Sequence, residues 1–243
     1  MGKVISLHAG IGGMGKTSLT AGLALNFARS GSRVLCVDCQ AGFGTLDLYL
    51  GMESMDTLSY ADICRGDYPL GRASTHPDFS NLFYIAAPVR SAYRELDEQA
   101  FQNMIQRAKT AYDYVLLNAP AGLGEMALLA AEFADQCLLV CGMDPATIRS
   151  SSRVADQLQL MGKIDSRLVV GRMDPALMKS MKKTVDDIVD QVGVPLLGLV
   201  PEDSQILLLT TAGEFQKGKK WAFAAYERIC KRMQGQPVPI PTR

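Results

Sequence analysis

Gly10-Ile11-Gly12-Gly13-Met14-Gly15-Lys16-Thr17 decides the fold. The segment satisfies the G-x4-G-K-[ST] pattern of a phosphate-binding loop, and its neighbours make the match specific. Val4 to Leu7 before it reads as a short buried strand, and Thr17 to Arg29 after it as a helix closed by Gly31. Its glycines let backbone N–H groups curl around phosphate oxygens. The following helix adds the positive end of its dipole. Lys16 can reach the β- and γ-phosphates, and the Thr17 hydroxyl can ligate Mg²⁺. The loop from Gly10 to Ser18 is therefore expected to bind a nucleoside triphosphate with Mg²⁺. Gly12, Gly13, Met14, Gly15, Lys16, Thr17 and Ser18 would surround the phosphates.

Outward from this loop, short apolar runs alternate with segments of helical period. Val34 to Val37, Leu82 to Ala87, Tyr114 to Leu117, Cys137 to Cys141, Leu168 to Val170 and Leu196 to Val200 read as strands. Leu58 to Cys64, Leu96 to Ala111, a stretch from Glu125 and Lys219 to Met233 read as helices. Asp144-Pro145 and Asp174-Pro175 each set an N-cap residue before a proline at the first helical position. The first of these helices runs to Met161. The second carries Leu177, Met181, Val185, Ile188 and Val192 at core spacing. This alternation predicts one α/β domain with a mostly parallel sheet of about seven or eight strands and helices on both faces, the P-loop NTPase fold. Right-handed crossovers then place the strand-end loops on one edge. The domain would span residues 1–233, with 234–243 a short, loose, proline-rich tail.

The bulk composition narrows the classes. The 243 residues suit one large domain, and 25 Lys and Arg balance 25 Asp and Glu. A net charge of zero argues against nucleic acid as the main partner, whose affinity draws on positive charge. No run of 18 apolar residues suggests a spanning helix, and the N-terminus reads as a strand rather than a leader. The expected location is cytoplasmic, with reduced thiols. Cys36 and Cys39 have C-x-x-C spacing, but no second pair or His cluster joins them, and strand alternation sends them to opposite faces.

The whole chain resembles the MinD/ParA family of deviant Walker A P-loop ATPases, and the MinD branch more than the ParA branch. Gly10 to Thr20 (GIGGMGKTSLT) matches that family's phosphate loop. Asp38 to Gly51 (DCQAGFGTLDLYLG) resembles its switch I, and Asn118 to Gly122 (NAPAG) its switch II. Glu132 to Asp135 (EFAD) and Val200 to Asp203 (VPED) match later landmarks. The resemblance implies ATP or ADP with Mg²⁺, Asp38 beside Thr17 at the metal, and Arg172, Pro201, Glu202 and Asp203 on the adenine side. It also implies partner proteins that read the switch regions.

The chain departs from that family at charged positions. The family's extra loop lysine, which crosses a dimer to the partner's nucleotide, is here Ile11. The aspartate that positions the attacking water is here Gln40, and the aspartate opening switch II is Asn118. The asparagine that reads adenine is Gly171, before Arg172. Phosphoryl transfer depends on positioning and on charge neutralisation, so these losses leave Lys16 and Gln40 as the catalytic candidates and predict slow hydrolysis. Loss of the lysine predicts at most a weak homodimer. Three prolines in the last residues exclude a regular terminal helix, so no stable membrane anchor is expected. The expected function is a MinD-like ATP-binding switch in cellular positioning, such as division-site selection. The alternative is a non-catalytic nucleotide-binding scaffold that anchors partner proteins.

Overall fold

β1 (Lys3–Ala9) lies inside an eight-stranded sheet, paired in parallel with β5 (Tyr114–Asn118) on one side and β6 (Gln136–Cys141) on the other. The computed structural model describes residues 1–89 and 97–241 of the chain. Beyond β5 stand β2 (Val34–Asp38), β4 (Phe79–Ile85) and the short β3 (Ser74–His76); beyond β6 stand β7 (Ser166–Met173) and β8 (Leu196–Pro201). Every pairing is parallel except β3 with β4.

The strands read as near-continuous apolar runs because both faces are covered. Val4 joins the core on one face, and Ile5, Leu7 and Ala9 join the core on the other. One face is covered by α1 (Lys16–Arg29), α2 (Leu46–Leu50), α9 (Ser204–Thr211) and α10 (Ala222–Met233). The opposite face carries α3 (Tyr60–Cys64), α4 (Glu98–Ala111), α5 (Glu125–Glu132), α6 (Pro145–Leu160), α7 (Pro175–Ser180) and α8 (Val185–Val192). The Asp144 and Asp174 side chains each accept hydrogen bonds from the first turn of the helix they open.

α1 carries the phosphate loop and lies against α10. A Cβ on Gly22 would come closer than 3.0 Å to the ring of the buried Tyr226. Gly22→Ala is therefore expected to destabilise the protein by about 1–3 kcal/mol, although alanine is the better helix former. Urea unfolding measures this, and an unchanged midpoint would mean that the Tyr226 ring swings aside freely.

The structure differs from the sequence reading at six places. The helix expected from Pro175 through Val192 is two helices. Lys182 turns to φ 52, and Thr184 and Asp187 form a capping box that starts α8 afresh. Leu177, expected in the core, is exposed. Leu58 and Ser59 are outside the short helix: Ser59 caps α3, and the Leu58 carbonyl accepts the Ala86 N–H. α2, α9 and β3 are elements with no counterpart in that reading. The last helix begins at Ala222, because Trp221 takes φ 53 and leaves Lys219 to Trp221 outside it. The tail is held as far as it is described. Arg232 donates to the carbonyls of Leu197, Val238 and Pro239, and Ile240 packs on the opposite face's core. Leu96, Thr242 and Arg243 lie outside the described residues.

Candidate functional site

The loop between β1 and α1 turns on Gly13 (φ 84) and Gly15 (φ 88), left-handed values that favour glycine. Among the described residues, nothing stands within 4 Å of a Cβ built at Gly12 or Gly13. No side chain among the described residues caps α1, which leaves its first N–H groups for a ligand. Beside the loop opens a cavity of about 670 Å³, within the usual range for small-molecule sites. Residues 11–18, Gln40, Arg172, Pro201, Glu202 and Asp203 line it, so most of the expected site residues come together. Ile206, Leu207 and Thr210 of α9 and Tyr49 of α2 line it as well. The Thr210 hydroxyl oxygen is buried without a hydrogen-bond partner among the described residues, an open polar group in the wall.

Behind the cavity lies a buried polar chain. The Lys16 ammonium donates to Asn118 Oδ1 at 2.9 Å, and Thr20 donates to the same oxygen at 3.3 Å. Asn118 Nδ2 donates to Asp38 Oδ1 at 3.2 Å. Asp38 Oδ1 also accepts the Gln40 N–H, and its Oδ2 accepts the N–H groups of Thr45 and Leu46. Asn118 thus has its oxygen toward the cation and its nitrogen toward the carboxylate, the orientation those partners require. Burial lowers the Lys16 pKa to about 8, partly offset by the charge of Asp38. Burial raises Asp38, opposed by the Leu46, Gln40 and Thr45 N–H groups and by Lys16. Burial also pushes His8, on the neighbouring strand, down to about 3, so its ring is neutral beside Ser6.

Asp38 is fully buried and does not line the cavity, whereas Thr17 does. Gln40 Nε2 approaches Thr17 Oγ1 at 3.4 Å, which brings the segment after β2 to the loop. No group of three or more Asp, Glu, His or Cys gathers among the described residues. A Mg²⁺ held by phosphates, one hydroxyl and water needs no such cage. The residues present therefore fit a polyphosphate with Mg²⁺ at Thr17.

The residues expected on the base side also make contacts within the protein. Asp203 accepts the N–H groups of Gln205 and Ala222, so it ties the starts of α9 and α10 together. Arg172 pairs with Glu202 at 2.6 Å and donates to the Gly13 carbonyl at 3.2 Å. A Cβ at Gly171 would lie closer than 3.0 Å to the Met14 carbonyl oxygen. The phosphate loop itself fills the space an asparagine would need there, a contact between distant segments that leaves no mark in linear sequence. α9 did carry a signal, since Asp203 stands as an N-cap before the apolar run Ile206-Leu207-Leu208-Leu209.

Ile11 is partly exposed at the rim. Cys36 and Cys39 are buried in opposite cores, and burial pushes both thiols up, away from the thiolate a metal needs. No helix among the described residues is long and apolar enough to cross a membrane.

The AAA-domain family model matches residues 2–169. The septum site-determining protein MinD of Bacillus subtilis is 30% identical over 246 residues, covering 99% of this chain and 92% of its own. A chain of the MinC:MinD cell division protein complex of Aquifex aeolicus superposes with a TM-score of 0.88 at 28% identity, over 98% of both chains. The septum site-determining protein MinD of Pyrococcus horikoshii, solved with Mg-ADP, superposes with a TM-score of 0.84 at 25% identity, over 96% of both. With its phosphate loop, its eight-stranded sheet and these relatives, the chain belongs to the MinD/ParA family of P-loop ATPases.

Proposed function

We propose that this chain is a MinD-like ATP-binding switch that acts in cellular positioning, division-site selection included, and hydrolyses ATP slowly. The observation that carries the reading is the cavity that joins residues 11–18, Gln40 and the loop at 201–203. Gly12 to Ser18 would hold the phosphates, Lys16 their charge, and Pro201, Glu202 and Asp203 would flank the base. Mg²⁺ bound at Thr17 would supply charge neutralisation. Relatives named septum site-determining proteins, one solved with Mg-ADP and one in a complex with MinC, support nucleotide use and a protein partner. The partner would read Asp38 to Asp47 and Asn118 to Gly124, which meet at the Asp38–Asn118 hydrogen bond. Ile11 offers no charge across a dimer face, so self-association would be weak, and the protein would work in the cytoplasm.

Slow hydrolysis follows from the buried chain. Asn118 and Gln40 are neutral where the family places carboxylates, and removal of one such group costs about 10²-fold in rate. ATP turnover is expected to fall about a hundredfold below MinD relatives, with ATP and Mg²⁺ still bound. A phosphate-release assay checks this. Turnover equal to the relatives' that disappears in Lys16→Ala would reject the slow-hydrolysis reading. The second reading, a scaffold without turnover, draws on the same neutral positions. It requires partner binding that ignores nucleotide, so pull-downs with and without ATP separate the two.

A further inference from the structure

Arg172 has a backbone that its side chain does not favour. Its φ of 53 is a left-handed value that costs a non-glycine residue free energy and persists only where surroundings hold it. What surrounds it is the phosphate loop. Its guanidinium donates to the Gly13 carbonyl at 3.2 Å and to Glu202 Oε2 at 2.6 Å, with a longer second bond of 3.4 Å to Oε1. The preceding Gly171 leaves room for the next carbonyl of the loop, that of Met14. Two consecutive loop carbonyls thus rest on the end of β7.

In a trans peptide the C=O and the N–H lie in one plane and point in opposite directions. Drawing the Gly13 carbonyl to Arg172 turns the Met14 N–H away from Arg172. Seating the Met14 carbonyl over Gly171 turns the Gly15 N–H away from β7. Consecutive N–H groups turned to one side form an anion-binding nest. We propose that Arg172 is a positioning residue that fixes the peptide planes of the phosphate loop, with Glu202 holding its guanidinium, and that it does not read the base. This rests on the reading of the loop as a nucleotide site. The exposed Arg172–Glu202 pair adds little to stability, so its effect lies in orientation.

The test compares the intact chain with Arg172→Gly, which suits φ 53 and so is expected to melt no lower. Calorimetric titration uses ATP and inorganic tripolyphosphate, which has no base. Amide hydrogen exchange at Met14 and Gly15 is followed without ligand. Arg172→Gly is expected to weaken both ligands by the same factor, about tenfold, the size of one charge-assisted hydrogen bond. Exchange at Met14 and Gly15 is expected to speed up. Weaker ATP binding with unchanged tripolyphosphate binding would make Arg172 a base reader and overturn the proposal. Unchanged exchange at both amides would overturn it too. If the intact chain bound neither ligand, the nucleotide reading would fall, and the exchange arm alone would decide whether Arg172 sets the loop.

Discussion

Lys16→Ala is expected to weaken ATP binding by about 30- to 5000-fold, because it truncates a buried, hydrogen-bonded cation worth about 2–5 kcal/mol to a bound anion. Lys16 opens α1, and its ammonium is buried against Asn118. No other lysine among the described residues lines the cavity, and Arg172 is committed to Glu202 and the Gly13 carbonyl. The remaining phosphate contacts would be neutral backbone N–H groups, individually weaker than a charged partner. The fold should survive, since Asp38 keeps three backbone N–H groups and the Asn118 amide as donors. Calorimetry on protein with unchanged circular dichroism makes the measurement. Affinity within threefold of the parent would show that Lys16 does not reach the phosphates.

Gly171→Asn, which introduces the asparagine that the family resemblance would place beside adenine, is expected to lower ATP affinity by about tenfold or more. Its Cβ would meet the Met14 carbonyl, a backbone atom that moves only with the loop. Overpacking of this kind costs about 1–3 kcal/mol. The displaced loop would carry with it the N–H groups that face the phosphates. Inorganic tripolyphosphate should therefore lose affinity as ATP does. A gain in ATP affinity would mean that the loop yields easily and that the asparagine reads the base after all.

The fold was legible because its signals are local and repeated. A strand buried on both faces reads as an apolar run, and Asp-Pro pairs mark two helix starts without any tertiary knowledge. The break between α7 and α8 was hidden because Met181 and Val185 keep helical spacing across the turn at Lys182. The phosphate loop was legible for the same local reason. Its support was not. Asn118 reads as a lost carboxylate, and no local signal shows that its amide joins Lys16 to Asp38. Gly171 reads as a lost base reader, and no local signal shows that the Met14 carbonyl lies over it. Asp203 lines the cavity as expected, yet its oxygens serve two helix starts, which only the meeting of α9 and α10 explains.

The clasp of Arg232 on the chain end bears on how copies of this protein stay apart. β8 closes one margin of the sheet, and an open margin is a template on which another chain can add strands without limit. Arg232 occupies the Leu197 carbonyl there and lashes Val238 and Pro239 beside it. Pro237, Pro239 and Pro241 have no N–H to offer a newcomer. The segment expected to be loose is thus held in a way that leaves that margin fewer free groups for fibrous growth.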